Sequence, residues 1–589
     1  MTNKTIYSPQ ILWKNFDSLL PLEEETVSET VEDKTTFRDM YFKGRQTGEG
    51  RVRIFATYAY TGTTSKRALK GAILIIPDMS ESIDRDLMKY YLKQGYNVLM
   101  VDYRGKYEGA EHYTEYTADV EYANYATSGR ALDYADNTAI ETSWYEWVAV
   151  MKYAVSFLRS QPDVRNVGVF GIKNGADVGW MLCGTETRID CFAAAFAAGW
   201  RAYKGVFKYA EKDITMDEER IRFLAGVEAQ AYAQHVKCPV FFATATNSSE
   251  FDVDRSVDTL SRFFTPSEGG NYQMEQYYFE PKNGNSAERD NQAVRYNNYA
   301  PGLNDALDKR SQIDVDLFFA KYLLAYKIVF PEEPKITLDL DGKNVTATLE
   351  IDFSDQKRPK KVDVYFSEGG INPAFREWNR MREKKGNSEV VREFTYKMNG
   401  NSRLIHAFAV VEYRNQITLS SKIITKKIEP LPSRYNKLIY SSTDKNCSFS
   451  VYNVKNYSQF GIFFNDSDCV MSKEVGNGIS GITSKYGLIC YKVNSSCYNL
   501  SDLSFLKMDV FCKEDTALKL ILMLADDSGV SADYETVVYV NGADVWQNIM
   551  LKCAEFKQKS GLPIKDYSHT AALRIEADTS CVVNNILLI

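Results

Sequence analysis

Apolar residues fall along this chain in two rhythms. Up to about residue 330, unbroken apolar runs of strand length alternate with stretches that are apolar at every third or fourth position. Beyond Pro331 the helical rhythm stops, and short strand-like runs follow one another to the C-terminus. In the first region, 72–76, 96–101, 167–171, 192–198 and 239–245 are continuous enough to be strands buried on both faces. Helices are predicted at 86–94, stopped by Gly95, at 144–159 and at 314–327. Apolar positions 144, 147, 148, 151, 154, 155 and 158 form one helical stripe. Strand–helix alternation predicts a mostly parallel sheet with helices on both faces. Segments 37–42 and 52–60 predict an antiparallel hairpin ahead of it, and 276–279 its last strand. A polar, Tyr-rich insertion occupies 106–141, and a polar helical excursion 203–235.

The second region divides again. Runs at 336–340, 345–351, 362–366 and 405–413, with a loop holding Trp378, predict an immunoglobulin-like β-sandwich over 331–430. Ile428-Glu429-Pro430-Leu431-Pro432-Ser433 reads as a proline-punctuated linker. Runs at 519–524, 536–540, 546–551 and 584–589 then predict a second all-β domain over 435–589. Residues 1–34 are polar and carry Glu23, Glu24, Glu25, Glu29, Glu32 and Asp33, which predicts a solvated arm. The expected order is arm 1–34, α/β domain 35–330, sandwich 331–430 and sandwich 435–589.

Composition narrows the function classes. The 589 residues are 44% hydrophobic and 25% charged, so a large core is expected. A net charge of −7 with scattered Lys and Arg argues against nucleic-acid or anionic-membrane binding. No apolar run approaches the ~18 residues of a membrane span. No apolar segment follows Met1–Thr5, so a cytoplasmic chain without signal peptide is expected, secretion being the alternative if a leader was removed. The ten cysteines contain no Cys-x-x-Cys, and seven of them lie after residue 440. An odd number there signals neither a disulfide framework nor a zinc ribbon, so buried reduced thiols are expected.

The candidate chemistry centres on Gly171-Ile172-Lys173-Asn174-Gly175, at the junction of a predicted strand and a predicted helix. Small residues two before and two after a central position let a strand turn sharply into a helix, which lifts the central side chain to the helix head. Ile75-Ile76-Pro77, Gly95-Tyr96-Asn97-Val98 with Asp102-Tyr103-Arg104-Gly105, Trp144-Tyr145-Glu146-Trp147, this turn, and Lys237-Cys238-Pro239-Val240 occur in an order that resembles the α/β-hydrolase fold. Within that fold the chain is most similar to the acetyl-xylan-esterase and dienelactone-hydrolase-like group. The resemblance spans about 35–328 and implies a nucleophile at position 173, an acid after the strand 239–245, a histidine after the last strand, and an oxyanion loop at 77–80. The region 435–589 resembles the jelly rolls used as carbohydrate-binding modules, through the strand 506–510, Trp546-Gln547 and Phe556-Lys557.

Each expected catalytic position is altered. Lys173 stands where a serine would be the nucleophile. Thr246-Asn247-Ser248 puts Ser248 where the orienting acid belongs, with Glu250, Asp252 and Asp254 as nearby substitutes or, more simply, helix-start charges. The loop Lys282-Asn283-Gly284-Asn285-Ser286 places Asn285 where the histidine belongs. Pro77-Asp78-Met79-Ser80 brings Asp78 toward the place where an oxyanion should be stabilised, with an Asp78–Lys173 ion pair as one expectation. Of the four histidines, His112 in the insertion is the one considered for catalysis; His235, His406 and His569 are not. Walker, His-Glu-x-x-His and Gly-x-Gly-x-x-Gly motifs are absent. The expectation is a catalytically inactive pseudo-esterase serving as a binding, scaffold or assembly protein, with a glycan or a protein as partner. Two alternatives stand: an active carbohydrate-esterase-like hydrolase using Lys173 or His112, and a structural homo-oligomer. Tyr486, Tyr491, Tyr498 and Tyr534 are candidate glycan platforms. No cofactor is expected, apart from a structural Ca²⁺ that Asp526, Asp527 and Asp533 would ligate.

Overall fold

The computed structural model describes residues 5–62, 69–210, 215–262, 294–354, 357–400, 402–432, 437–444, 447–452, 470–525, 531–577 and 581–589. The predicted strand 276–279, the loop holding Asn285, Ser433, Cys469, Asp526 and Asp527 lie outside these residues.

One nine-stranded sheet organises the first half of the chain. Its strands are β1 (Glu25–Glu32), β2 (Thr35–Gln46), β3 (Arg51–Thr61), β4 (Lys70–Ile76), β5 (Asn97–Asp102), β6 (Val164–Ile172), β7 (Cys191–Ala195), β8 (Val240–Ala245) and β9 (Arg295–Ala300). They lie in the order β1-β2-β3-β5-β4-β6-β7-β8-β9. β1, β2, β3 and β5 pair antiparallel in turn; every pairing from β5 to β9 is parallel. The helices are α1 (Pro9–Leu12), α2 (Arg85–Lys93), α3 (Ser143–Ser160), α4 (Asn174–Cys183), α5 (Glu218–Gly226), α6 (Ala229–Tyr232), α7 (Val253–Ser261) and α8 (Lys309–Leu323).

The core has two layers because strand side chains alternate. Leu74, Val167 and Val169 point to a layer filled by Trp144, Trp147 and Trp180 of α3 and α4. Ile73, Ile75 and Phe170 point to the opposite layer, with Tyr91 of α2 and Phe318 and Phe319 of α8. α2 begins where Asp84 accepts hydrogen bonds from the Asp86 and Leu87 amides, and α3 where Thr142 accepts from the Tyr145 amide.

The expected arm is partly built into the sheet. β1 is the edge strand, and Trp13 is buried, stacked on Tyr145 at 4.4 Å and donating to Tyr232 Oη at 3.0 Å. The sheet's far described edge is β9, later than the predicted last strand. Its sequence, Arg-Tyr-Asn-Asn-Tyr-Ala, lacks an apolar run, yet all six residues are buried. Burial is met by pairing: Asn298 donates to Asp314, and Arg295 reaches Glu333 and the Leu260 carbonyl.

Two antiparallel β-sandwich domains follow. The first pairs a four-stranded sheet with one built on Pro359–Glu368 and Leu404–Tyr413. The second sets Met471–Val475, Ile479–Thr483, Val582–Leu588, Phe505–Phe511 and Trp546–Lys552 against Phe449–Val451, Leu488–Cys490, Thr570–Ala577, Thr516–Ala525 and Ser531–Val540. The described cysteines form no disulfide, and all except Cys447 are buried.

The first sandwich is fused to the α/β domain. Tyr299 N donates to Ser420 Oγ at 2.9 Å, and Thr418 N to Asp314 at 2.8 Å. The deepest link is Arg376, whose guanidinium is 0% exposed and makes two hydrogen bonds to Asp254, itself 1% exposed. Arg376→Ala strands a buried carboxylate and is expected to cost about 3–5 kcal/mol, lowering the urea midpoint of the first unfolding transition. Arg376→Met with Asp254→Leu should recover most of the loss; a double variant no better than the single one would refute the pairing argument.

Candidate functional site

At the C-terminal edge of the sheet, β6 passes into α4 through Lys173 alone. Lys173 has φ 52° and ψ −124°, which a non-glycine residue adopts only at an energetic cost. The turn is held by Lys173 N donating to Ala195 O at 2.8 Å and Ala176 N donating to Lys173 O at 2.9 Å. Both flanking glycines are required by close approach. A Cβ on Gly171 would lie 2.5 Å from Ala176 Cα, and one on Gly175 2.2 Å from the carbonyl oxygens of Ile76 and Pro77. The local sequence therefore builds the turn of a nucleophile-bearing elbow with a lysine at its apex.

The amide that follows such an apex is one of the donors that hold an oxyanion in acyl transfer. Here Asn174 N donates to Asp78 Oδ1 at 3.1 Å, and Asn174 Nδ2 donates to the same oxygen at 2.8 Å. Ser80 Oγ donates to Asp78 Oδ2 at 2.8 Å. The chain thus seats its own carboxylate, 9% exposed, on that amide. Asn174 Oδ1 accepts from Arg201, whose guanidinium lies 4.8 Å from the Trp144 ring and 3.5 Å from Asp133. The Arg201 and Ala202 amides donate to Glu228, and the Gly199 amide to Asp177. Burial pushes Asp177 up to about 7 against the pull of Arg201.

The expected Asp78–Lys173 ion pair does not form; Asp78 is taken up by Asn174 and Ser80. Lys173 instead acts electrostatically on Asp305, in the loop after β9. Burial and the charge of Glu250 raise the Asp305 pKa, and Lys173 opposes them. Ser248, buried at the end of β8, donates to Asp305 Oδ1 at 3.5 Å and accepts from the Glu250 and Phe251 amides. The loops after β6, β8 and β9 therefore bring together Lys173, Ser248 and Asp305. Asp305 was missed because the last strand was expected at 276–279. The signal that could have found it is Pro301-Gly302, a turn dipeptide after the polar strand.

The other candidates lie elsewhere. Asp252 caps α7, accepting from the Asp254 and Arg255 amides, and Asp254 is the partner of Arg376. His112 stacks on Phe55 of β3 with ring centroids 5.4 Å apart, and meets Tyr41 in a T-shaped arrangement with centroids 6.2 Å apart. His406 is fully buried, pushed down to about 3 by burial and by the Arg376 charge. Asp533 pairs with Arg574 at 3.2 Å. Groups of three or more His, Cys, Asp or Glu suited to a metal ion are absent among the described residues.

Both sandwiches reach this edge of the sheet. Asn247 Nδ2 donates to the Ala374 and Arg376 carbonyls at 3.1 and 2.8 Å. A Cβ on Gly302 would lie 3.0 Å from Ser450 Oγ of the last domain. Tyr491 and Tyr452 of that domain feel the Asp305 charge.

Sheet order, helices on both faces and the elbow between β6 and α4 define the N-terminal architecture. It is an α/β-hydrolase-like fold. Among solved structures, acetyl xylan esterase 1 from Thermoanaerobacterium sp. JW/SL YS485 is similar at 16% identity and TM-score 0.36, over 53% of this chain and 90% of that one. The acetyl xylan esterase from Paenibacillus sp. R4 is similar at 12% and 0.36, over 54% and 92%. A dienelactone hydrolase structure from Klebsiella pneumoniae is similar at 10% and 0.31, over 49% and 99%. No protein-family model and no curated protein matches the chain.

Asp177 supplies a test of the buried acid network. Its folded pKa of about 7 lies above the ordinary 3.8, so the folded chain binds this proton more tightly than the unfolded one. The stabilisation is therefore full below about pH 4 and is lost as pH rises through about 7. Asp177→Asn keeps an acceptor for the Gly199 amide and removes the titration. Its Tm is expected to fall less than that of the parent between pH 5 and pH 8; equal falls would refute the assignment.

Proposed function

We propose that the α/β-hydrolase-like domain is catalytically silent and that the chain works as a binding or scaffold protein, its sandwiches set against the former catalytic edge. The observation that carries this reading is the Asp78 carboxylate on the Asn174 amide. A tetrahedral oxyanion at that amide would have to displace or adjoin an existing negative charge in a largely buried setting, which opposes acyl transfer. The rest of the site points the same way. Lys173 stands in place of the serine nucleophile, and its electrostatic partner is Asp305. Ser248 takes part in a local turn and gives no charge to orient an imidazole. The loop that follows β9, from Pro301 to Asp308, contains no histidine.

A glycan remains the ligand class suggested by the esterase-like domain with its appended modules. Of the four proposed platform tyrosines, Tyr491 and Tyr498 are buried, which leaves Tyr486 and Tyr534, both half-buried, as the better placed.

Hydrolysis of p-nitrophenyl acetate, p-nitrophenyl butyrate and acetylated xylo-oligosaccharides by the full chain is expected to equal the buffer blank. Turnover above the blank that disappears in Lys173→Ala at unchanged Tm would overturn the reading.

A further inference from the structure

Among its described residues, the last sandwich has an open side. Ser531–Val540 ends one of its sheets and Trp546–Lys552 ends the other. A groove of about 480 Å³ lies between these two edges. Its apolar floor is Val538, Val540, Ile549 and Leu551, the inward-facing residues of both strands. One end is closed by the 541–545 connection. At the other, Lys557 pairs with Glu535 through both backbone hydrogen bonds, N to O at 2.8 and 3.0 Å.

That pairing fixes which backbone groups face the groove. Glu535 turns its N–H and C=O outward, away from its sheet, so Val537 and Tyr539, of the same parity, do too. On the facing strand, Lys552 N points outward to Glu555, so Met550 and Asn548 present theirs. Among the described residues, the N–H and C=O groups of these four residues have no protein partner. Nor is the edge guarded. Natural free edges carry lysine, proline or a bulge against chance pairing. The stretch Thr536-Val537-Val538-Tyr539-Val540 has none of these, and it leaves Tyr539 84% and Val537 47% exposed.

We propose that this groove is a strand-addition site for a short extended peptide segment of a partner protein. The peptide has apolar side chains at alternate positions and a basic residue at the Glu555 end. Size decides against a second copy of the chain. Five residues of edge extend roughly 17 Å, whereas a stable dimer buries about 1,200–2,000 Å². Strand addition needs only a main-chain ladder and pockets for alternate side chains. The added strand would pair with the Ser531–Val540 edge at the usual spacing of about 4.8 Å, which engages one alternate set of its amides. Charge agrees, since Glu555 is the one acidic or basic side chain among the described residues that line the groove. The site holds whether or not the elbow is silent.

The test pans a linear octapeptide display library on the full chain and measures the enriched peptides by calorimetry. Alternating apolar peptides with one basic residue are expected. N-methylation of one alternate set of amides should weaken binding about tenfold or more, and methylation of the other set should leave it unchanged. Tyr539→Pro removes one outward N–H at an edge position where proline is tolerated. It should weaken binding about tenfold at unchanged Tm. The proposal is overturned if both methylated series bind alike, if Tyr539→Pro binds as the parent does, or if no groove-dependent peptide is enriched. It is equally overturned if xylohexaose or cellohexaose, rather than peptide, occupies the groove.

Discussion

The architecture depends on a backbone approach too close for any side chain. Where β6 turns into α4, Gly175 lies against the carbonyls of Ile76 and Pro77, and Gly171 lies against Ala176. This contact fixes the loop after β4 beside the head of α4. It is the reason Asp78 meets the Asn174 amide. In an acyl-transfer enzyme the same approach would assemble an oxyanion site. Here it assembles a site already filled by a carboxylate from the chain, with Arg201 balancing the cluster of Asp78, Asp177 and Glu228 from the far side of Asn174.

A second constraint follows from where the chain goes after the sheet. Asn247 is tied to the Ala374 and Arg376 carbonyls, and Arg376 is buried on Asp254. Of the acids that follow β8, Asp254 therefore serves the junction with the first sandwich. Such a pair contributes less through net attraction than through what its breakage would cost, because either charge left alone would remain buried. The last sandwich meets the same edge at Gly302 and shares the Asp305 field through Tyr452 and Tyr491. What would be an open substrate mouth in a free-standing hydrolase is, in this chain, a place where three domains meet.

Much of the fold was legible in the residues. The strands at 72–76 and 239–245 and the helix at 144–159 appear within a residue or two of their expected bounds, as β4, β8 and α3. They were legible because burial on both faces, or along one helical stripe, leaves an unbroken chemical pattern. β9 was not. Arg295 and Asn298 are buried by pairing with partners on α7 and α8 and with Glu333, and a partner's identity leaves no local trace. The same holds for Trp13, whose burial depends on Tyr145 and Tyr232, more than 130 positions away.

The sequence alone determined the elbow and the residue at its apex, because Gly-x-Lys-x-Gly between a strand and a helix constrains the backbone locally. It also determined that lysine rather than serine stands at the apex, and that Ser248 follows β8. Only the tertiary structure decided what replaces them. Asp78 joins Asn174 rather than Lys173, Lys173 acts electrostatically on Asp305, and among the described residues two sheet edges in the last domain stand open to each other. Each of these is a choice among partners distant in the chain. Local sequence restricts φ and ψ, but the competition for a hydrogen bond or a charge is settled only when packing brings the competitors within reach.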